Sequence, residues 1–201
     1  MKILFKTIMT ILLMSVIWSS AFAQTEFGNN STTTNTQYTS ATEAWAIDGA
    51  SWVYTAPSDG TVTEVGAYLK SYSGGTYTAD IGIYTVVSGV ATTLLGEAQV
   101  SGSGGTATMR TATGLSISVS SGDVICIAVG NLTNGARLHA QTGGTTGDLS
   151  RQTSSPDLLA TWDEQSTQAN YLCAYGVFEA GGGGGSDPSP RRRKVLLQGD
   201  K

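Results

Sequence analysis

The sequence predicts an all-β chain, a two-sheet antiparallel sandwich of jelly-roll type. Three observations predict it. Leu115-Ser116-Ile117-Ser118-Val119-Ser120 alternates apolar and hydroxyl residues strictly, which places one set on each face of a sheet. Turn signals at Asp59-Gly60, Ser88-Gly89 and Ser121-Gly122-Asp123 recur between short β-prone runs. After the first 23 residues no segment has a convincing helical period, and the spacing suits eight or nine strands.

The N-terminus reads as an export signal. Met1 to Ala23 carries Lys2 and Lys6, an apolar run from Ile8 to Trp18, and Ala21-Phe22-Ala23 as a small-residue cleavage site. The apolar run falls short of the roughly 20 residues of a spanning helix, so no membrane span is expected after its removal. Cleavage after Ala23 leaves Gln24 at the new N-terminus and predicts a secreted, extracellular or cell-surface protein. Residues 24–43 form a leader rich in Thr, Asn and Ser, able to supply one edge strand.

The β-sandwich domain is expected over residues 44–180. Ala44 to Ile47 and Ala50 to Tyr54 flank Asp48-Gly49, a two-residue hairpin signal that would set Trp45 opposite Trp52. The competing reading is a loop followed by one strand from Trp52. Ala56-Pro57-Ser58-Asp59-Gly60 is a turn, because Pro presets φ and Gly permits positive φ. Thr61 to Lys70 follows, with Val65, Ala67 and Leu69 on one face and Glu64, Tyr68 and Lys70 on the other. Ser71 to Gly75 is a loop. Thr76 to Val87 directs Ile81 and Ile83 inward, with Asp80 and Tyr84 on the opposite side. Val90 to Val100, Thr106 to Ala112 and Leu115 to Val119 are the next strands.

Val124 to Val129 is apolar at every position, the mark of a strand covered on both faces. Arg137 to Gln141 is a further candidate strand. Residues 143–164 lack periodicity and read as a long loop, a place where function often resides. Asn170 to Glu179 closes the domain as one strand. Residues 181–201 are a Gly-rich linker, stiffened at Pro188 and Pro190, and then a basic run from Arg191 to Lys194. That tail reads either as a natural flexible extension or as an added one.

Composition narrows the function. Hydrophobic residues make up 40% of the chain and charged residues 13%, so Ser and Thr supply the solubility. Between Gln24 and Ala180 four bases (Lys70, Arg110, Arg137, Arg151) stand against thirteen acids, a net −9. Such a body repels a phosphate backbone, so the folded domain is not expected to bind nucleic acid. Cys126 and Cys173 lie in strand-like segments, and export permits a disulfide between them; buried free thiols are the alternative.

Enzyme templates fit poorly, and no catalytic residue is assigned. His139 is the single histidine, without a Gly-x-Ser-x-Gly elbow. Neither phosphate-binding Gly motif is present, so no cofactor is expected. No metal is assigned; a structural calcium site built from the loop carboxylates Asp148, Asp157 and Asp163 is the alternative, without an Asp-x-Asp-x-Asp-Gly loop to support it.

The aromatic residues are the better lead. Trp45, Tyr72, Tyr77 and Trp162 lie in or beside loops, or among Thr and Gly. Sugars stack C–H faces on such rings while polar neighbours such as Asp163 and His139 bind hydroxyls. The bland alternative packs these rings in the core. Trp162 leads because it lies in the long irregular segment; Tyr72 follows because Gly74-Gly75 argues for an exposed loop.

A family likeness comes from rhythm. Ala56-Pro57-x-x-Gly60-Thr61-Val62 leads to Val65-Gly66-Ala67-Tyr68-Leu69, and Ile81-Gly82-Ile83-Tyr84, Leu94-Leu95-Gly96 and Gly122-Asp123-Val124 follow. Over Trp52 to Gly130 this cadence resembles the jelly-roll accessory modules of secreted bacterial and phage-associated surface proteins, including carbohydrate-binding-like modules. The resemblance transfers no ligand residue. The expectation is a secreted, non-catalytic module for a glycan or another cell-surface ligand. The alternative is a structural or adhesive subunit of a surface or virion-like assembly, with a homo-oligomer among the possible partnerships.

Overall fold

The computed structural model describes residues 24–33, 36–38, 43–152 and 155–181. The segment read as an export signal, Met1 to Ala23, and the chain from residue 182 onward lie outside the described residues. The chain runs through β1 (Gln24–Gly28), β2 (Thr36–Tyr38), β3 (Ala44–Ile47), β4 (Tyr54–Thr55), β5 (Gly60–Ser71), β6 (Thr76–Val87) and β7 (Val90–Ser103). It continues through β8 (Thr108–Val119), β9 (Val124–Gly130), β10 (Ala136–Thr142), β11 (Leu149–Gln152), β12 (Ser166–Gln168), β13 (Asn170–Leu172) and β14 (Ala174–Ala180). No helix occurs among the described residues.

Two antiparallel sheets form a sandwich. The first is ordered β1-β14-β5-β10-β13, with β8 on β5 and β2 on β10; the second runs β12-β11-β3-β9-β6-β7, with β4 on β9. The segment read as a polar leader supplies β1 and β2. Strand β1 covers β14 from Gln24↔Glu179 to Gly28↔Tyr175 and buries Phe27 against Tyr54, ring centroids 5.4 Å apart.

The core between the sheets is set by alternation. Leu69, Ala67 and Val65 of β5 are fully buried, as are Ile81 and Ile83 of β6 and Ile125 and Ile127 of β9. Val62 also faces inward, three residues from Val65, because a bulge at Thr63 shifts the pairing of β5 with β14 by one residue. In β8, Ile117 and Val119 are buried while Ser116 and Ser118 are exposed, which matches the alternating sequence.

Strand β9 is covered twice, as its unbroken apolar sequence requires. Its outer face carries Cys126 and Ala128 into a second cluster with Ala44, Ala46, Tyr84, Leu158 and Trp162. The cover is the 155–164 segment, which approaches closely because Gly82 and Gly130 lack side chains: a Cβ there would lie 2.7 Å and 3.0 Å from Leu158.

Three expectations are corrected. The Asp48-Gly49 hairpin does not form. Strands β3 and β4 lie end to end along one edge of β9, Ile47 opposite Ile127 and Tyr54 opposite Ile125. Between them the chain leaves the ladder so that Gly49 donates its N–H to the Asp148 carbonyl at 3.3 Å and Asp48 accepts from Ala91 N at 3.1 Å. Trp45 therefore pairs with Val129 and Arg151, while Trp52 stacks on Tyr171 at 4.3 Å. The 143–164 stretch is not wholly irregular, since β11 lies within it, with Leu149, Ser150 and Gln152 buried.

The cysteine bridge is likewise absent. Cys126 and Cys173 are both free and buried. Cys126 belongs to the second sheet and faces its outer cluster, whereas Cys173 joins β13 to β14 in the first sheet, where Asn29 Nδ2 reaches its sulfur at 3.8 Å. Burial pushes the Cys173 thiol up to about 11 and Cys126 well above its ordinary value, so both stay protonated.

Candidate functional site

At one end of the sandwich three turns are stitched together through their backbones. Ser71 N donates to Gly104 O at 3.0 Å, Gly104 N to Gly74 O at 3.2 Å, and Tyr72 N to Gly135 O at 2.8 Å. The turn before β10 holds its shape with Asn131, Asn134 and Gly135 in the left-handed region, at φ of 48°, 50° and 71°. Two threonines fasten it to β6. Thr133 N donates to Thr78 O at 3.0 Å, Thr78 N donates to Thr133 Oγ1 at 2.9 Å, and the two hydroxyls lie 2.8 Å apart.

These elements frame a cleft of about 400 Å³ lined by Thr76, Tyr77, Thr78, Ser101, Gly102, Ser103, Arg110 and Asn134. Its polar centre is a pair of side chains from different sheets. Tyr77 on β6 faces Gly102 on β7 across the ladder, and the missing side chain lets the phenol cross the strand. A Cβ on Gly102 would stand 2.6 Å from both Tyr77 Oη and Arg110 Nε. Arg110 donates through Nε to Tyr77 Oη at 3.3 Å and through Nη2 to Ser103 O at 3.3 Å. The wall is therefore one guanidinium, one phenol hydroxyl and a ring of small hydroxyl side chains, set to hydrogen-bond a polar ligand.

Beside the cleft stands Tyr72, 72% exposed and the most open large hydrophobic residue among those described. The Arg137 guanidinium lies over one face of its ring at 4.1 Å and leaves the rest of the ring to solvent.

The structure separates the site residues expected from sequence. Tyr72 is an exposed ring at the cleft. Tyr77 is there too, but only 1% exposed, so it offers its hydroxyl and not its face. Trp45, His139 and Trp162 are corrected to buried positions. Trp45 is packed in the inter-sheet core, with Arg151 at 5.6 Å from its ring. His139 stands edge-on to Tyr68 within β10, and burial with Lys70 and Arg137 nearby lowers its pKa to about 4. Trp162 is 6% exposed and edge-on to Tyr84 at 5.2 Å.

Asp163 is exposed but lies elsewhere. Trp162 N donates to Thr92 O near the start of β7, and ten residues of strand, about 33 Å, separate Thr92 from Gly102. No group of three or more His, Cys, Asp or Glu side chains that could hold a metal occurs among the described residues. Arg110, Gly102 and Asn134 escaped sequence reasoning because nothing local marks them. Only their pairing partners bring them together.

With this geometry in view, comparisons with known proteins add a fold likeness. No protein-family model matches the chain, and no curated protein matches it. Among solved structures it is similar to the clostridial cysteine protease Cwp84 after propeptide cleavage, at 12% identity and a TM-score of 0.52, over 79% of this chain and 40% of that one. A second structure contains the cysteine protease and lectin-like domains of Cwp84, a surface-layer-associated protein of Clostridium difficile. It aligns at 11% identity and a TM-score of 0.53, over 79% of this chain and 36% of that one. At such identity the likeness is one of fold, and the chain spans about two fifths of either structure.

Proposed function

We propose that this chain is a secreted, non-catalytic binding module of jelly-roll type that recognises a carbohydrate on an extracellular surface. The observation that supports this reading is the cleft at Arg110 and Tyr77 with the exposed Tyr72 ring beside it. A hydroxyl-lined pocket orients sugar hydroxyls, and an open ring accepts a C–H face. The lectin-like domain named for one structural neighbour agrees with it. So does the burial of the single histidine, which removes the usual general base from solvent. Screening the protein from Gln24 onward on a glycan array, wild type against Tyr72→Ala, tests the reading. Retention lost in the variant at an unchanged melting temperature supports it; no retained glycan, or equal retention by both proteins, refutes it.

A second reading, a structural or adhesive subunit, is favoured by one observation. Strand β7 is the edge of the second sheet, and its backbone pairing to the 160–162 segment involves only Thr92, Thr93 and Leu94 among the described residues. The remainder of that edge could accept a strand from a second copy. Light scattering that rises with concentration would favour this role, and a monomer at every concentration would remove it.

A further inference from the structure

We infer that the saccharide taken by the Arg110 cleft bears a carboxylate, so that the ligand is a uronate-type acidic glycan. This deepens the proposed binding function and rests on it. The starting point is charge placement. Between Gln24 and Ala180 the chain has only four bases against thirteen acids, and one of the four, Arg110, lines the cleft, while Lys70 and Arg137 stand at the same end of the first sheet on its outer face. Arg137 is the register partner of Lys70 across β10 and β5, and Arg110 is opposite Ala67 on the other side of β5.

The partners of Arg110 sharpen the point. Among the described residues it forms no ion pair; both of its acceptors, the Tyr77 hydroxyl and the Ser103 carbonyl, are neutral. A guanidinium has five N–H donors in a planar fork. Two are spent on Tyr77 and Ser103, which leaves three for a ligand in the cleft that Arg110 lines, enough to take a carboxylate through two parallel hydrogen bonds. By contrast Arg151, on β11 at the opposite side of the second sheet from β7, is paired with Glu43 at 3.1 Å. Asp80, two residues beyond Thr78, is already engaged by Asn131 Nδ2 at 2.8 Å and Gln99 Nε2 at 3.0 Å, so its carboxylate is committed elsewhere. A neutral sugar would leave the Arg110 charge without a counter-ion inside a half-enclosed site, whereas a uronate supplies one.

The test uses two ligands of one sugar backbone, an oligogalacturonate hexamer and its fully methyl-esterified, uncharged form, titrated calorimetrically into the protein from Gln24 onward. The acid form should bind about tenfold tighter or more, as expected of a charge-assisted pair. Raising sodium chloride from about 50 to about 500 mM should weaken the acid form several-fold and leave the ester unmoved. In Arg110→Gln, with its melting temperature checked, the ratio of acid to ester affinity should fall to about one. The salt series on wild type keeps the test decisive if that variant does not fold. Equal binding of acid and ester overturns the carboxylate inference and leaves carbohydrate binding standing. So does no binding of either hexamer by a protein that retains neutral glycans on the array. Loss of every glycan, charged or neutral, overturns both.

Discussion

Trp162 stands edge-on to Tyr84, ring centroids 5.2 Å apart at 76°, on the outer face of the second sheet. The Tyr84 hydroxyl donates to the Leu159 carbonyl at 2.6 Å, so Tyr84 holds the 155–164 segment both through this bond and through the Trp162 ring. That segment is what covers β9 from outside. The role is one of packing, and it makes a forecast opposite to that of a sugar platform. Trp162→Ala should destabilise the protein by about 3–5 kcal/mol through the cavity and lost burial. At a temperature where the variant remains folded, glycan retention should equal that of wild type, since the cleft lies at the far end of β7. Chemical denaturation combined with array binding checks both halves. A stable Trp162→Ala protein that no longer binds would return Trp162 to the site.

Gly102 is the position where local space controls the site. A methyl group there would press on Tyr77 Oη and Arg110 Nε, both 2.6 Å from the built Cβ. The Arg110 end is flexible and swings away cheaply, whereas Tyr77 is held in the core at 1% exposure. Gly102→Ala should therefore break the Arg110–Tyr77 hydrogen bond and reduce ligand affinity at least several-fold. It should also cost about 1–3 kcal/mol of stability, because the overlap with the Tyr77 ring remains after Arg110 moves away. Titration of ligand against thermal melting separates the two effects. Undiminished affinity would mean that the Arg110–Tyr77 geometry does not matter.

How much of this was legible in the sequence follows from the range over which each signal acts. Alternation from Leu115 to Ser120 and the apolar run from Val124 to Val129 report on faces of single strands, and burial agrees with both. The cover over β9 was illegible, because residues 155–164 dock through Leu158 and Trp162 without any period. The cleft was hidden by register. Counting back from the Ser88-Gly89 turn would set Tyr77 opposite Val100. Two irregularities, between Ile83 and Tyr84 and between Tyr84 and Val86, slide the pairing by two residues and bring Gly102 there instead. Asp48-Gly49 misled for a related reason: a strong hairpin dipeptide was used to leave a strand and rejoin it further along.

The thiols give a direct chemical check. Cys126 and Cys173 are buried on different sheets, and burial holds both as unreactive thiols. Native protein should resist alkylation at pH 8. Unfolding in guanidinium without reductant should expose two alkylatable groups, counted by mass spectrometry. An unreduced, unfolded chain with no reactive thiol would show that a bridge forms after all.

Two buried ionisable groups should shape the pH dependence in opposite senses. Asp48 is 1% exposed, and burial raises its pKa from 3.8 to about 6, partly offset by the nearby Ser150 side chain and by the hydrogen bond from Ala91 N. The folded state thus holds this proton more tightly than the unfolded chain, and stability falls as pH rises from about 4 to about 6. His139 is shifted from 6.5 down to about 4, chiefly by burial and then by Lys70 and Arg137. Here the unfolded chain takes the proton first, so stability falls as pH drops from about 6.5 to about 4. Each effect amounts to about 3 kcal/mol at most, so over the shared window they largely cancel in the wild type. Asp48→Asn keeps an acceptor for Ala91 N and removes the buried charge. It should be more stable than wild type at pH 7 and lose that advantage steadily toward pH 4. His139→Gln should show the reverse slope, gaining stability relative to wild type as pH falls from about 6.5 to about 4. Urea midpoints measured at half-unit steps from pH 4 to pH 8 read these slopes directly. Curves for the two variants that stay parallel to wild type would show that neither group changes its proton affinity on folding.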